Sequence, residues 1–156
     1  MHAASGIPVY RAFRPQLADA YAIVSEYYEA VDVMVREDQQ KFEREYFEGE
    51  GGLWLATSNG QTIGCIALHE LHGFHEKIGE IKRLYVQPAF RGKGVAEALL
   101  ATLETYATAR GFRALYLDSK DDLQVAIRFY QRHGYELCER YNENPQATIF
   151  MKKRLH

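Results

Sequence analysis

One short stretch limits this chain more than any other. Arg91-Gly92-Lys93-Gly94-Val95-Ala96 lies between a strand-like run and a helix-like run. Ile81-Lys82-Arg83-Leu84-Tyr85-Val86 reads as strand, and Pro88 and Phe90 occupy the turn. From Val95 onward Val95, Leu99, Leu103 and Tyr106 recur at spacings of four, four and three, which is one helix face. A helix that starts at glycines exposes backbone N–H groups that have no intrahelical acceptor. Its macrodipole adds positive potential at that end, which suits an anion and phosphate above all. Glycine also lets a ligand approach the backbone closely. With the cations of Arg91 and Lys93, the stretch reads as a diphosphate cradle. A plain tight turn at a helix start is the alternative.

Other glycine-loop readings fail on spacing. A Walker loop needs four residues between its glycines, then Lys and Ser or Thr. A dinucleotide fingerprint needs a third glycine where this chain has Glu97.

The remaining sequence bounds the answer. The chain has 156 residues, enough for one domain spanning 1–156 and too few for two ordinary ones. No apolar run approaches the ~18 residues of a membrane span. The start, Met1-His2-Ala3-Ala4-Ser5-Gly6, lacks the basic and apolar regions of a signal peptide. Cys65 and Cys138 lie far apart and in no Cys-x-x-Cys motif, which fits free thiols in a reducing cytoplasm. Net charge is −2 but uneven: residues 19–50 carry ten acids against three bases. Solvated helix faces explain such a run, and an acidic lip for a cationic substrate is the functional alternative. No basic stripe suggests nucleic acid.

Along the chain, 7–13 reads as a strand, and Pro15 suits the first turn of a helix that runs to about Ala30. A second helix is expected over 38–47. Asn59-Gly60 between apolar runs predicts a hairpin of 53–57 with 62–71. Then come a strand over 79–86, a long helix over 92–110 closed by Gly111, a strand over 112–117 and a helix over 121–133. Closing strands are expected over 135–141 and 147–155.

This order, with Arg91-x-x-Gly94-x-Ala96 at the turn, resembles the GNAT superfamily of acyl-CoA-dependent N-acyltransferases, whose signature is Gln/Arg-x-x-Gly-x-Gly/Ala. Ala126-Ile127-Arg128-Phe129-Tyr130, followed by Gly134-Tyr135, is similar to a second family segment, and the strand 80–86 is similar to the fourth family strand. One position departs: many members carry Asn, a frequent cofactor contact, where this chain has Leu123. The resemblance implies one α/β domain with a GNAT-like fold: a mixed, mostly antiparallel sheet of about seven strands, helices on both faces, and a cofactor entering between splayed fourth and fifth strands. It implies transfer of an acetyl group from acetyl-CoA, the cosubstrate, to a small-molecule or peptide amine. A non-catalytic acyl-CoA-binding regulatory module would share the same phosphate-binding features. No membrane partner is expected, and strand edges near the C-terminus leave room for a homodimer.

Residue roles follow from the same resemblance. The backbone of Leu84, Tyr85 and Val86 would lie along the pantetheine arm, with the Val86 N–H as oxyanion donor. Amides of Arg91, Gly92, Lys93, Gly94, Val95 and Ala96 would hold the diphosphate. Tyr130 matches the family's general acid. By position alone it sits on the apolar face formed with Leu123, Ala126 and Ile127 and reads as a core tyrosine; only the motif reverses that. Glu80, six residues before Val86, is placed where some members carry a general base; pairing with Lys82 on the same strand face is the alternative. Asp118 and Ser119 are weaker candidates. His69, His72 and His75 recur every third residue but span Gly73 and lack cysteine, so they read as a polar loop and no metal site is expected. Trp54 reads as core. Tyr141, Asn142 and Asn144-Pro145 form a loop that points either to the acceptor or to a partner chain.

Overall fold

The computed structural model describes residues 6–31, 39–120 and 123–156. The expectations for residues 1–5 and for Asp32, Glu37, Asp38 and Asp121 lie outside them. The described residues form one sheet of seven strands: β1 (Val9–Arg11), β2 (Gly52–Ser58), β3 (Gln61–Leu71), β4 (Ile78–Val86), β5 (Ala114–Ser119), β6 (Glu136–Leu137) and β7 (Ile149–Arg154). Their spatial order is β1-β2-β3-β4-β5-β7-β6, and β4–β5 is the parallel pair in an otherwise antiparallel sheet. The helices are α1 (Leu17–Val31), α2 (Gln39–Tyr46), α3 (Val95–Ala109) and α4 (Gln124–Arg132). None of them is long and apolar enough to cross a membrane.

A sheet covered on both faces must be apolar on both, so its inner strands read as continuous apolar runs rather than alternating ones. Strand periodicity divides those runs. Leu53, Leu55, Cys65, Ala67 and Tyr85 face α1 and α2, where Ala20, Ile23, Val24, Phe42 and Tyr46 are buried. Trp54, Ala56, Ile66, Leu68, Ile81 and Val86 face the other way, against Val95, Leu99 and Leu103 of α3 and Ile127, Phe129 and Tyr130 of α4. Trp54 is core, as expected, with its ring edge-on to Tyr106 at 5.0 Å. The Tyr135 hydroxyl (2.6 Å) and the Lys153 ammonium (3.1 Å) both donate to Glu104, tying the turn after α4 and β7 to α3.

Some elements are shorter than their patterns suggest. The long helix starts at Val95 because Gly92 (φ 75°) and Gly94 (φ 85°) lie outside the right-handed helical region. The strand expected over 135–141 keeps only Glu136–Leu137. Beyond it, Arg140 donates to the carbonyls of Asn142, Asn144 and Ala147. Asn142 and Asn144 accept from backbone N–H groups two residues on. These local side-chain bonds compete with a ladder and replace it.

The decisive irregularity is in β4. Its register against β3 jumps from Tyr85↔Cys65 to Lys82↔Ala67, so Arg83 and Leu84 together oppose Ile66. Arg83 has φ 59°, unusual for a residue with a side chain. Its buried guanidinium lies over the rings of Tyr28 (5.4 Å) and Tyr46 (5.2 Å), which fastens the bulge to α1 and α2. A bulge bends its strand and increases the twist. The parallel ladder between β4 and β5 accordingly stops at Glu80↔Tyr116, while β5 continues against β7 to Ser119↔Ile149. Beyond Glu80 the two strands part, as the resemblance implies.

Candidate active site

The glycine turn stands at the open end of this split. The first bond into α3 runs from the Ala98 N–H to the Gly94 carbonyl at 3.1 Å. The N–H groups of Val95, Ala96 and Glu97 therefore precede the helical ladder. Arg91, Gly92 and Lys93 are exposed, and a Cβ on Gly92 would meet nothing within 4 Å. Arg91 folds back, its Nε donating to the Val86 carbonyl at 2.8 Å. Gly64 lets α3 sit close to the sheet: a Cβ there would lie 2.8 Å from the Tyr85 carbonyl oxygen and 3.3 Å from Leu99. The helix start is thereby held against the end of β4.

Ladder phase sets which β4 groups face the split. Gln87 N–H bonds the Ile63 carbonyl at 2.8 Å, so Gln87–Ile63 is a hydrogen-bonded pair and Val86↔Gly64 is not. The Val86 N–H therefore points away from β3, toward the split. Tyr85 pairs with Cys65, so its backbone serves β3. Its side chain turns toward α1, with the hydroxyl 3.4 Å from Glu26. By the same alternation the Leu84 backbone faces the split.

Tyr130 is buried, packed edge-on against Phe129 (5.4 Å) and Tyr135 (5.4 Å). Burial pushes its hydroxyl well above the usual tyrosine range, and the charges of Tyr27 and Glu104 add to this. Tyr27 belongs to α1 on the opposite face of the sheet, and burial pushes its hydroxyl up to about 12. Tyr130 is part of the core on the face of the sheet covered by α3 and α4. Leu123, at the position of departure, is the N-cap of α4 and gives it no side-chain cap.

Glu80 occupies the last rung before the strands part, and it is 95% withdrawn from solvent at 5% exposure. Its carboxylate accepts from the Tyr141 hydroxyl at 2.6 Å and from Asn142 Nδ2 at 3.1 Å. Asn142 Nδ2 also donates to Asp118 (2.7 Å), as does Asn144 Nδ2 (3.2 Å). The Tyr141 ring sits edge-on to Tyr116 (5.0 Å) and Phe150 (5.6 Å). The Lys82 pairing considered from sequence does not form; Glu80 has no ion-pair partner among the described residues.

Three acids of the run serve ion pairs rather than the split. Glu43 and Glu48 pair with Arg14, and Glu50 pairs with Lys77 and Arg110. Glu26 differs, since it receives Gln87 Nε2 at 3.1 Å beside the end of β4. His69 lies opposite Glu80, two residues before the end of β3, whereas His72 and His75 are exposed in the following loop. Among the described residues no three His, Cys, Asp or Glu side chains come together as metal ligands. Cys65 is buried, its thiol pushed up to about 12 by desolvation, and Cys138 is partly exposed; both are free.

Comparison with known proteins places this architecture. The family model described as Acetyltransferase (GNAT) family matches residues 17–135. The chain belongs to the GNAT family. An N-acetyltransferase of Schizosaccharomyces pombe named as uncharacterised is 32% identical over 107 residues, covering 68% of this chain and 64% of that protein. The chain thus spans a little under two thirds of that relative's length. An acetyltransferase of GNAT family from Staphylococcus aureus Mu50 superposes with a TM-score of 0.82 at 18% identity, over 96% of this chain and 99% of that one. N-acetylglutamate synthase from Neisseria gonorrhoeae, complexed with coenzyme A and N-acetyl-glutamate, gives a TM-score of 0.76 at 18% identity, over 96% of this chain and 35% of that one. At these identities the two structures show a shared fold.

Within this GNAT domain, sequence reasoning did not single out Tyr27 or Arg83. Tyr27 carries no motif and stands one position off the helix face that Tyr21, Val24 and Tyr28 share by their spacing of three and four. Arg83 sits inside a strand pattern, where a bulge leaves no local mark. Asn142 was noted only as part of a loop.

Proposed function

We propose that this GNAT-family chain transfers an acetyl group from acetyl-CoA to a primary amine of a small molecule or peptide, by direct attack in a ternary complex. One observation carries the reading: the exposed glycine turn, the unpaired edge of β4 and the buried Glu80 carboxylate lie along one continuous track. The turn supplies amide donors for a diphosphate. The edge supplies backbone groups for an extended amide-bearing arm, as an added strand would use them. The carboxylate supplies a proton acceptor at the narrow end.

Strand geometry refines the residue roles. Glu80 and Val86 are six residues apart, roughly 20 Å at the rise of an extended strand. A base acting on an amine that attacks a carbonyl held at Val86 would be out of reach. Leu84 is two residues nearer, roughly 13 Å along the strand and less through the bulge, a distance that the Glu80 side chain, the ammonium and a relaying water together span. We therefore assign the oxyanion contact to the Leu84 N–H and leave Val86 to the arm.

A substrate ammonium has a pKa near ~10 and must lose a proton before attack. Glu80 takes that proton. The amine nitrogen then bonds to the thioester carbon, the oxyanion rests on the strand amide, and the carbon–sulfur bond breaks. Tyr130 donates to the departing sulfur, and the second proton lost by the amine nitrogen on amide formation passes through water to restore the Tyr130 hydroxyl. The apolar surroundings that raise Tyr130 and weaken it as an acid would also raise the departing thiolate's demand for a proton, which offsets that loss.

An acceptor panel assayed with acetyl-CoA, read as free thiol released, tests the proposal. Amine-dependent thiol release supports it. Tight CoA binding with no release against amino acids, amino sugars, polyamines and peptide amines would overturn it in favour of a binding module.

A further inference from the structure

The loop between β6 and β7 returns to the point where the sheet opens, and its side chains there are arranged about one carboxylate oxygen. We propose that Tyr141 and Asn142 are positioning residues for Glu80, holding its carboxylate with one oxygen fixed and the other turned to the acceptor amine. The inference rests on the reading of Glu80 as proton acceptor.

Both donors choose the same atom. The Tyr141 hydroxyl and Asn142 Nδ2 each bond Glu80 Oε2, and neither bonds Oε1. A buried carboxylate without a cation is costly unless hydrogen bonds compensate it. Here two neutral donors compensate it while leaving the lone pairs of Oε1 for a proton. A lysine or arginine on Glu80 would also have stabilised the charge, but would have competed directly with a substrate ammonium.

The orientation of the Asn142 amide is set by its surroundings. Its Oδ1 accepts the Asn144 backbone N–H at 3.1 Å, so Nδ2 must be the end that faces the acids. Its two hydrogens then divide between Glu80 on β4 and Asp118 on β5. This one amide bridges the two strands just past the end of their ladder. Arg140 holds the loop through three carbonyls, and Tyr116 and Phe150 pack the Tyr141 ring. Burial and the Glu80 charge push the Tyr141 hydroxyl up, so it remains a donor across the working pH range.

A double-mutant cycle on turnover tests this. Tyr141→Phe keeps the ring contacts and removes only the hydroxyl. With acetyl-CoA and acceptor saturating, we expect kcat to fall about ten- to a hundredfold while CoA affinity by calorimetry is unchanged. In a Glu80→Gln background the same change should lower kcat no further, because the group it positions is gone. Asn142→Ala should behave in the same way and provides an independent variant should Tyr141→Phe fold poorly. Equal losses in both backgrounds would make these residues structural and overturn the proposal, as would full activity of Tyr141→Phe and Asn142→Ala where Glu80→Gln is impaired. Unchanged kcat in Glu80→Gln alone would instead remove Glu80 as the base, and the proposal with it.

Discussion

Gly94 offers a test in which backbone strain and ligand electrostatics pull apart. The residue caps α3 at φ 85° and ψ 9°, where a residue with a Cβ costs roughly 1–2 kcal/mol. Gly94→Ala carries that strain alone. Gly94→Glu carries it too, but an acid at a helix N-terminus returns about 0.3–1 kcal/mol. The net stability loss of Gly94→Glu is then about 1 kcal/mol, and Tm should fall by only ~2–4 °C. The effect on the cosubstrate is much larger. A carboxylate some 5–6 Å from a diphosphate is repelled by about 3 kcal/mol per charge at an effective dielectric near 20. That corresponds to at least a hundredfold in affinity, before any loss of the amide contacts is counted. Calorimetry with CoA at low salt should show Gly94→Ala weakened and Gly94→Glu weakened a hundredfold or more, with part of the Glu effect relieved as salt screens the repulsion. A folded Gly94→Glu protein that binds CoA as tightly as the parent would refute the diphosphate cradle and the functional reading built on it.

Three further outcomes are expected. Tyr130→Phe should lower kcat about ten- to a hundredfold with CoA affinity and Tm nearly unchanged, since only the proton donor is lost; equal single-turnover rates would return Tyr130 to a packing role. Gly64→Ala should destabilise the fold by roughly 1–3 kcal/mol through its 2.8 Å approach to the Tyr85 carbonyl, and an unchanged thermal midpoint would show that the end of β4 is free to shift. His69 has its pKa lowered, chiefly by desolvation, so the unfolded chain takes up a proton before the native state does. Stability should therefore decline as pH falls below about 6.5 and level off once the native imidazole is also protonated, and the decline should shrink in His69→Asn when Tm is followed against pH.

Local features were legible because they depend on neighbours in the chain. The hairpin at Asn59-Gly60, the αL glycines before Val95 and the stop at Gly111 each follow from a backbone demand within a few residues. The periodicity of α3 and the apolar runs of β2 and β3 likewise mark which surfaces must be buried. Two spaced motifs, at 91–96 and 126–135, were enough to point to the family. Tyr130, on an apolar helix face and in a motif, is buried in the structure as its helix face implies, and its part in the chemistry rests on the motif.

What the chain alone left open was register and distance between segments. The bulge that puts Arg83 and Leu84 opposite Ile66 depends on how β4 aligns with β3, and no composition rule marks it. That alignment bends β4, ends its ladder with β5 at Glu80 and opens the track on which the proposed chemistry depends. The partner of Glu80 was undecided between a local lysine and no partner; the fold supplies Tyr141 from 61 residues away. Three acids of the run read as a lip, Glu43, Glu48 and Glu50, are drawn into ion pairs with bases as distant as Arg14 and Arg110. Sequence alone determined the elements and the chemistry-bearing turn, because those follow from propensity and period. Tertiary structure decided which groups meet at the split, because a side chain's neighbours across a sheet follow from strand register, and a one-residue shift sends it to the other face.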